Sequence, residues 1–301
     1  MDIPSAVFYT RADLASIGVT DVEIKSAIRR GSIIRVARGA YADAAMYSAM
    51  IPAERHILAI RATARGRTVS HQSAAVLHGL QMWAPDLGRV HVSVNAGQGG
   101  RRTDRSHVHT NRVAADSVTT VDGLTVTTVT RTAVDLARSL SFEAAVCVVD
   151  SALASGGTTV ELLRSAVDTC AGLAGCSAAR RVVEFADGRS ESVGESRSRV
   201  YLQRYGFPAP ELQVTLRHGG LTARPDFLIG GVIIEFDGKL KYTSERALFE
   251  EKKRQDQLMS LGWVMARLTW EDLASDAGAR IVRRALERAE GLPEPLTVRG
   301  R

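Results

Sequence analysis

Residues 225–238 of this 301-residue chain read PDFLIGGVIIEFDG, and no other segment narrows the fold as far. VIIEF is an almost fully apolar run of strand length, the pattern of a central strand, and Gly230-Gly231 before it suits the turn of a hairpin whose first strand begins at Asp226. Glu235 stands inside that run. A carboxylate among Val232, Ile233, Ile234 and Phe236 is costly to bury unless it is paired or holds a cation. Asp237 lies two residues on, hence on the same face of the strand, and the hairpin brings Asp226 alongside. Carboxylates that close raise one another's pKa and resist ionisation. The sequence therefore predicts one metal site at Asp226, Glu235 and Asp237, neutralised by Mg²⁺ or Mn²⁺, hard cations that take oxygen ligands.

The flanks supply the rest of an α/β unit over residues 181–301. SESVGESRSRVYLQRYGF predicts a helix from about Glu191 to Arg204, with Glu195 in its first turns and Gly206 at its end. LQVTL reads as a strand and His218-Gly219-Gly220 as a turn.

The N-terminus carries a different set of local signals. Thr10 with Asp13 and Thr20 with Glu23 have helix-capping spacing, while Gly18 and Gly31 suit the ends of two short helices. Val22, Ala27 and Ile28 are the predicted buried stripe of the second helix. Ile33, Ile34 and Val36 suit a strand, and Arg38-Gly39 a tight reversal before Tyr41, so residues 1–50 predict a winged helix-turn-helix. Lys25 and Arg29 lie one helical turn apart; with Arg30, Arg35 and Arg38 they are the predicted contacts to duplex DNA. An excess of 39 Lys+Arg over 33 Asp+Glu, a net charge of +6, favours a polyanionic partner. The competing interpretation makes these residues the solvated face of a helical subdomain.

Between the two lies a mixed α/β stretch, residues 51–180. It comprises a helix over 53–66, another starting at Ser70, a strand over 89–95, an exposed mobile loop from Ala96 before a strand around Val108, a turn at Asp122-Gly123, and helices ending at Gly156-Gly157. His71, His78, His107 and His109 are assigned to packing or capping, because no acidic ligand pairs with them. The three cysteines, Cys147, Cys170 and Cys176, read as reduced thiols. No apolar stretch is long enough to cross a bilayer and the first residues do not form a secretion leader, which predicts a cytoplasmic protein without a membrane partner. The expected fold class is thus α/β multidomain, divided at 1–50, 51–180 and 181–301.

Two resemblances follow from these residues. RVARGAY (35–41), SHQSAAVLHGL (70–80) and VDGLTVTTVTRTAVDLA (121–137) resemble the AbiEi-type antitoxin family of type IV toxin-antitoxin systems over roughly residues 8–155. This likeness implies a winged helix that binds promoter DNA and represses its own operon. Glu195, Pro225-Asp226 and Glu235-Phe236-Asp237-Gly238 resemble the PD-(D/E)xK nuclease superfamily, and within it the Vsr-like group labelled DUF559. That likeness implies a restriction-endonuclease-like fold in which Asp226 and Glu235 hold the metal, which activates a water and stabilises charge on the scissile phosphate. The usual catalytic lysine is replaced by Asp237, so the positive charge falls to Lys239, Lys241 or Lys252, with Lys252 favoured. The leading expectation is a DNA-binding protein with a Mg²⁺-dependent endonuclease domain. The alternative is a non-enzymatic, antitoxin-like repressor on a degenerate nuclease fold, its acids paired with Arg224 and Arg254. A protein-protein adaptor is a third reading. A cognate toxin or a second copy of the chain stays open as a further partner.

Overall fold

The computed structural model describes residues 7–64, 66–95, 100–110, 113–238, 245–296 and 298–300, of which 245–248, 251 and 298–300 are described as backbone only. Gly97, Arg112, Lys239 and Lys241 lie outside the described residues. The fold is α/β, in two compact units: residues 1–140 with 157–180, and residues 141–156 with 181–301. No described helix is long and apolar enough to cross a membrane.

The first unit begins with β1 (Tyr9–Thr10), α1 (Arg11–Ser16), α2 (Asp21–Arg30), β2 (Ile33–Ala37) and β3 (Ala40–Asp43). Both capping boxes form: Thr10 and Thr20 accept from the backbone N–H three residues on, and Asp13 and Glu23 return the bond. Such caps satisfy helix-end donors that would otherwise be orphaned. Gly31 ends α2 in the left-handed conformation at φ 72°, which a side chain would resist. The strands order β1-β3-β2, antiparallel, with the reversal at Arg38-Gly39. Tyr9, Leu14, Val19, Ile24, Ala27, Ile33 and Tyr41 make the core. The buried side of α2 is thus Ile24 and Ala27, whereas Val22 is 71% and Ile28 36% exposed. Val22 is two residues from Ile24, about 200° around a helix, so both cannot face inward.

There follow α3 (Ala44–Ala49), α4 (Pro52–Thr63), β4 (Thr68–Val69), α5 (His71–Leu77), β5 (Val90–Val94), β6 (Arg101–Arg102), β7 (Ser106–Thr110), β8 (Val118–Val121), β9 (Leu124–Thr127) and α6 (Val129–Ser139). The strands form one sheet in the order β6-β7-β5-β4-β9-β8, with β5/β7 and β4/β9 parallel. The β8–β9 hairpin turns at Asp122-Gly123, with φ 49° and 74°. Val69, Val90, Val92 and Val126 pack on Ile60 of α4, on Ala64 at its C-cap and on Ala74 of α5. Strand alternation then sends His91, Ser93, His107 and His109 to the other face of the sheet. Residues 101–105, expected in a mobile loop, instead form a hairpin with β7. Arg101 pairs with Val108 and Arg102 with His107, Thr103 N–H donates to Ser106 O at 2.8 Å, and Arg105 Nη1 donates to Val36 O at 3.3 Å.

The second unit holds α7 (Phe142–Ala154), which follows α6 in the chain. α8 (Val160–Thr169) returns to the first unit, and α9 (Cys176–Phe185) begins there and ends in the second. The second unit then continues with α10 (Val193–Arg204), β10 (Glu211–Leu212), β11 (Thr215–His218), β12 (Leu221–Ala223), β13 (Phe227–Ile229), β14 (Val232–Phe236), α11 (Glu245–Ser260), β15 (Val264–Leu268), α12 (Trp270–Leu273), α13 (Ala277–Glu290) and β16 (Val298–Gly300). One sheet orders β10-β13-β14-β15 and the other β12-β11-β16. β14 is central, antiparallel to β13 and parallel to β15, with α11 in the crossover between β14 and β15. The single strand expected at LQVTL is two strands in different sheets, because Gln213 at φ 54° breaks the run. Alternate residues of β13 and β14 feed two cores. Phe227, Val232 and Ile234 pack with Tyr201, Leu202 and Val282; Leu228 and Ile233 pack with Leu216, Leu258 and Trp263.

A buried polar pin joins α7 to α10. Asp150 accepts from Arg199 Nη1 at 2.7 Å, from Ser196 Oγ at 2.8 Å and from the Asp187 N–H at 2.8 Å. Arg199 also donates to Phe185 O and lies over the Phe185 ring. Among the described residues all three cysteines are free.

Candidate functional site

The first turn of α10 meets the end of β14 at a glycine. A Cβ on Gly194 would fall 2.0 Å from the Phe236 ring, so only glycine lets the helix and the strand approach this closely. Phe236 in turn meets Trp270 edge-on at 4.6 Å. This packing carries Glu195, the next residue, to the strand end where the other acids lie. Glu195 is buried and held on both oxygens: Oε2 accepts from the Glu191 N–H at 2.9 Å and from Gln213 Nε2 at 3.0 Å, and Oε1 from Ser192 Oγ at 2.8 Å.

Asp226 is half-buried, and its Oδ2 accepts the Phe236 N–H at 2.8 Å. Burial, reinforced by the charges of Glu195, Glu235 and Glu191, pushes its carboxyl up to about 7 against the opposing pull of that hydrogen bond. Glu195, Asp226 and Glu235 are thus neighbours. Glu235, which the sequence suggests is buried, is half-exposed, because burial along β14 fades after Ile234; it faces Arg267 Nε at 3.7 Å. Asp237 lies one residue past the strand, half-buried, its N–H bonded to Leu268 O at 2.8 Å. Arg224 pairs with Glu191 at 2.7 Å. Lys252 is exposed on α11, in a surface cavity shared with Phe249, Lys253 and Asp256.

Lys25, Arg29, Arg30, Arg35 and Arg38 are all exposed in the first unit. Arg30 donates to Ser26 Oγ at 2.6 Å. Val22, Lys25 and Arg29 recur at helical spacing, so the exposed face of α2 combines an apolar and two cationic side chains. Arg105 reaches the backbone of β2, bringing the second basic segment beside the first.

The same unit holds a histidine cluster: His71, His107 and His109, assigned from the sequence to packing or capping, meet His91, which the sequence did not single out. The parallel register sets His91 beside His107 and Ser93 beside His109. His91 Nδ1 lies 3.0 Å from His109 Nε2, the His71 ring stacks on His109 at 3.6 Å between centroids, and His107 stands 3.9 Å from His109. Among the described residues, the one group of three His, Cys, Asp or Glu side chains spaced to share a metal ion is His71, His91 and His109, whose ligand atoms lie within 4.8 Å of one another. Burial, with smaller contributions from neighbouring imidazoles, lowers the His71 imidazole well below its usual value, His91 to about 4 and His109 to about 3. His91 was the missing member; its signal is the alternation VHVSV beside SHVHT, two strands with histidines on one face.

The family model of the AbiEi antitoxin C-terminal domain matches residues 67–186, which includes the six-stranded sheet and the histidines and stops before the carboxylates. The chain is also similar to two proteins of Mycobacterium tuberculosis, one of strain CDC 1551 / Oshkosh and one of strain ATCC 25618 / H37Rv, both described as uncharacterized. Each is 34% identical over 175 residues, 56% of this chain. The match spans 64% of the length of each relative.

Proposed function

We propose that the chain is a DNA-binding protein in which residues 1–50 act as a winged helix-turn-helix and residues 181–301 as a restriction-endonuclease-like domain that hydrolyses phosphodiesters with Mg²⁺ or Mn²⁺. The observation that carries this reading is that the charges of Glu195 and Glu235 both press on the half-buried carboxyl of Asp226, near the contact of α10 with β14. An all-oxygen donor set suits a hard cation, and Mg²⁺ commonly takes one or two carboxylates and completes its shell with water. Asp226 and Glu235 would hold the ion, with Asp237 at the edge of the site. When bound, the cation lowers the pKa of a water and stabilises charge on the phosphate. Glu195, fixed by its hydrogen bonds, orients a water, and Lys252 supplies positive charge from α11. In the first unit, Lys25, Arg29, Arg30, Arg35 and Arg38 neutralise phosphates, while Val22 offers an apolar contact of the kind that reads a thymine methyl.

The match at residues 67–186 and the acid at position 237 favour a second reading, an antitoxin-like repressor that binds DNA, with or without a toxin partner, and does not cut it. Plasmid nicking by the full chain, with and without Mg²⁺, separates the two. Hydrolysis requires Mg²⁺-dependent nicking that Asp226→Asn and Glu235→Gln abolish; wild-type protein that binds duplex without nicking leaves the repressor. Both readings need an affinity that falls with salt. Four neutralised phosphates give a log-log slope of roughly −3 to −4, reduced by about two in Lys25→Ala/Arg29→Ala. A salt-independent affinity would remove the DNA-binding role.

A further inference from the structure

We propose that His71, His91 and His109 form a binding site for a divalent transition cation of borderline softness, Zn²⁺ foremost, with one coordination position open to water or an exogenous donor. The site is separate from the carboxylates and lies in the first unit.

The donor geometry comes first. Zn–N bonds of about 2.0–2.1 Å in a tetrahedron place nitrogens roughly 3.4 Å apart. The three donor atoms here lie within 4.8 Å of one another, and the closest pair, His91 Nδ1 and His109 Nε2, stands at 3.0 Å. To share one ion the stacked rings of His71 and His109 must tilt out of parallel, since an imidazole donates in its own plane. The His71 Nδ1 is hydrogen-bonded to Ser70 Oγ at 3.0 Å, which fixes the ring and leaves Nε2 as the ligating atom. A hydrogen bond to the non-ligating nitrogen is the usual support of a metal-bound histidine.

Other features converge on the same place. His71 adopts φ 51°, a left-handed conformation that a non-glycine residue keeps only when its surroundings enforce it. Among the described residues, the buried side-chain polar atoms without a hydrogen-bond partner are Gln72 Oε1 and Ser93 Oγ. Gln72 follows His71, and Ser93 is in register with His109 on the histidine face. An aqua ligand on the cation would give such an orphaned group its partner. Of the nearby arginines, Arg131 is balanced by Asp135 at 2.8 Å and Arg89 by Asp86 at 3.3 Å, while Arg102 is exposed beside His91 and His107. Burial also keeps the imidazoles neutral, the form that ligates. An imidazole-only set selects Zn²⁺, Ni²⁺, Co²⁺ or Cu²⁺ over Mg²⁺ and Ca²⁺.

The test uses the full chain, stripped with a chelator and dialysed against Zn²⁺ or Co²⁺ in the presence of excess Mg²⁺ to occupy the carboxylates. One equivalent of Zn²⁺ should bind, Co²⁺ should give the visible absorption of a low-coordinate nitrogen site, and His91→Gln and His109→Gln should each weaken binding at least ten-fold. Asp226→Asn/Glu235→Gln, which disables the proposed hydrolytic site, should leave Zn²⁺ binding intact, so failure of one site is distinguishable from failure of the other. Should a histidine variant not fold, the wild-type protein still decides: Zn²⁺ at a hundred-fold excess over its Kd must raise the melting temperature where Mg²⁺ does not. Zn²⁺ binding unchanged in His91→Gln and His109→Gln, or no Zn²⁺-specific thermal shift in the wild type, overturns the proposal.

Discussion

At the acid corner of the second unit and on the histidine face of the first, burial acts on titratable groups in opposite senses. Around Asp226 it favours the protonated carboxylic acid, a poor ligand, so a cation must displace a proton and offset the repulsion of Glu195 and Glu235. Around His71, His91 and His109 it favours the neutral imidazole, already the ligating form. The same desolvation therefore makes one set of donors reluctant and the other ready. The imidazole rings pack closely, His71 stacked on His109 at 3.6 Å and His107 tilted against it at 3.9 Å.

The largest test of this contrast is the frame that holds the acids. Asp150 and Arg199 are paired inside the second unit, and Asp150→Ala would leave the guanidinium buried without its counter-charge, a loss of about 3–5 kcal/mol. Denaturant unfolding measures it, and hydrogen exchange should place the loss in α7 and α10. A change under about 1 kcal/mol, the size expected of an exposed pair, would mean that the pin does not hold α10.

Next is the pH dependence of the metal-free protein. The Asp226 carboxyl, raised to about 7 when folded, binds its proton more tightly than in the unfolded chain. Its stabilising contribution is complete below about pH 4 and is lost as pH rises through 7. Each tenfold gain in proton affinity is worth about 1.4 kcal/mol, so the contribution reaches about 4 kcal/mol at most, less for a group that solvent partly screens. The histidines run the other way: their lowered values give stability that is present above about pH 6.5 and lost as pH falls toward 4 and then 3. Asp226→Asn should flatten the first slope and leave the second. Equal flattening of both would show that the two regions do not titrate separately.

Gly194 gives a smaller, more local effect. Its missing Cβ is the space Phe236 occupies, so Gly194→Ala must shift α10 or the ring, at about 1–3 kcal/mol. Mg²⁺ affinity measured by calorimetry should fall with it, while Zn²⁺ affinity should not.

The acid corner was legible because its members sit in a hairpin: Asp226, Glu235 and the Gly230 turn lie within a dozen residues, and strand periodicity relates them. What periodicity could not give was how far burial extends along β14, hence the exposure of Glu235, or that Glu195 rather than Asp237 leads the acids pressing on Asp226. Both depend on how α10 crosses the strand end, a tertiary contact made at Gly194. Capping at Thr10 and Thr20 and the turn at Asp122-Gly123 were readable because each is settled within four residues. The histidine face was not. His71, His91 and His109 come together only through the parallel pairing of β5 with β7 and the docking of α5, and parallel register leaves no local mark on the sequence. The α7 excursion into the second unit was hidden for the same reason, its anchor being Asp150 to Arg199 across 49 residues.

The smallest expected effect belongs to His107, and it sharpens the comparison most. His107 shares the face and the stacking, 3.9 Å from His109 and in register with His91, yet it is not one of the three residues whose donor atoms converge. It is also more exposed than His71 and His91, and its imidazole is lowered chiefly by burial, with Arg102 and Arg89 adding to it. Its role in the proposed site is then to wall His109 and keep its ring upright. His107→Ala should lower Zn²⁺ affinity only a few-fold, within the range of a lost ring contact of about 0.5–1.5 kcal/mol, and leave the Co²⁺ spectrum unchanged in position. A ten-fold or greater loss with a shifted spectrum would make His107 a ligand and move the site toward the sheet edge at β6. Equal, small losses for His107→Ala and His109→Ala would reduce the cluster to packing.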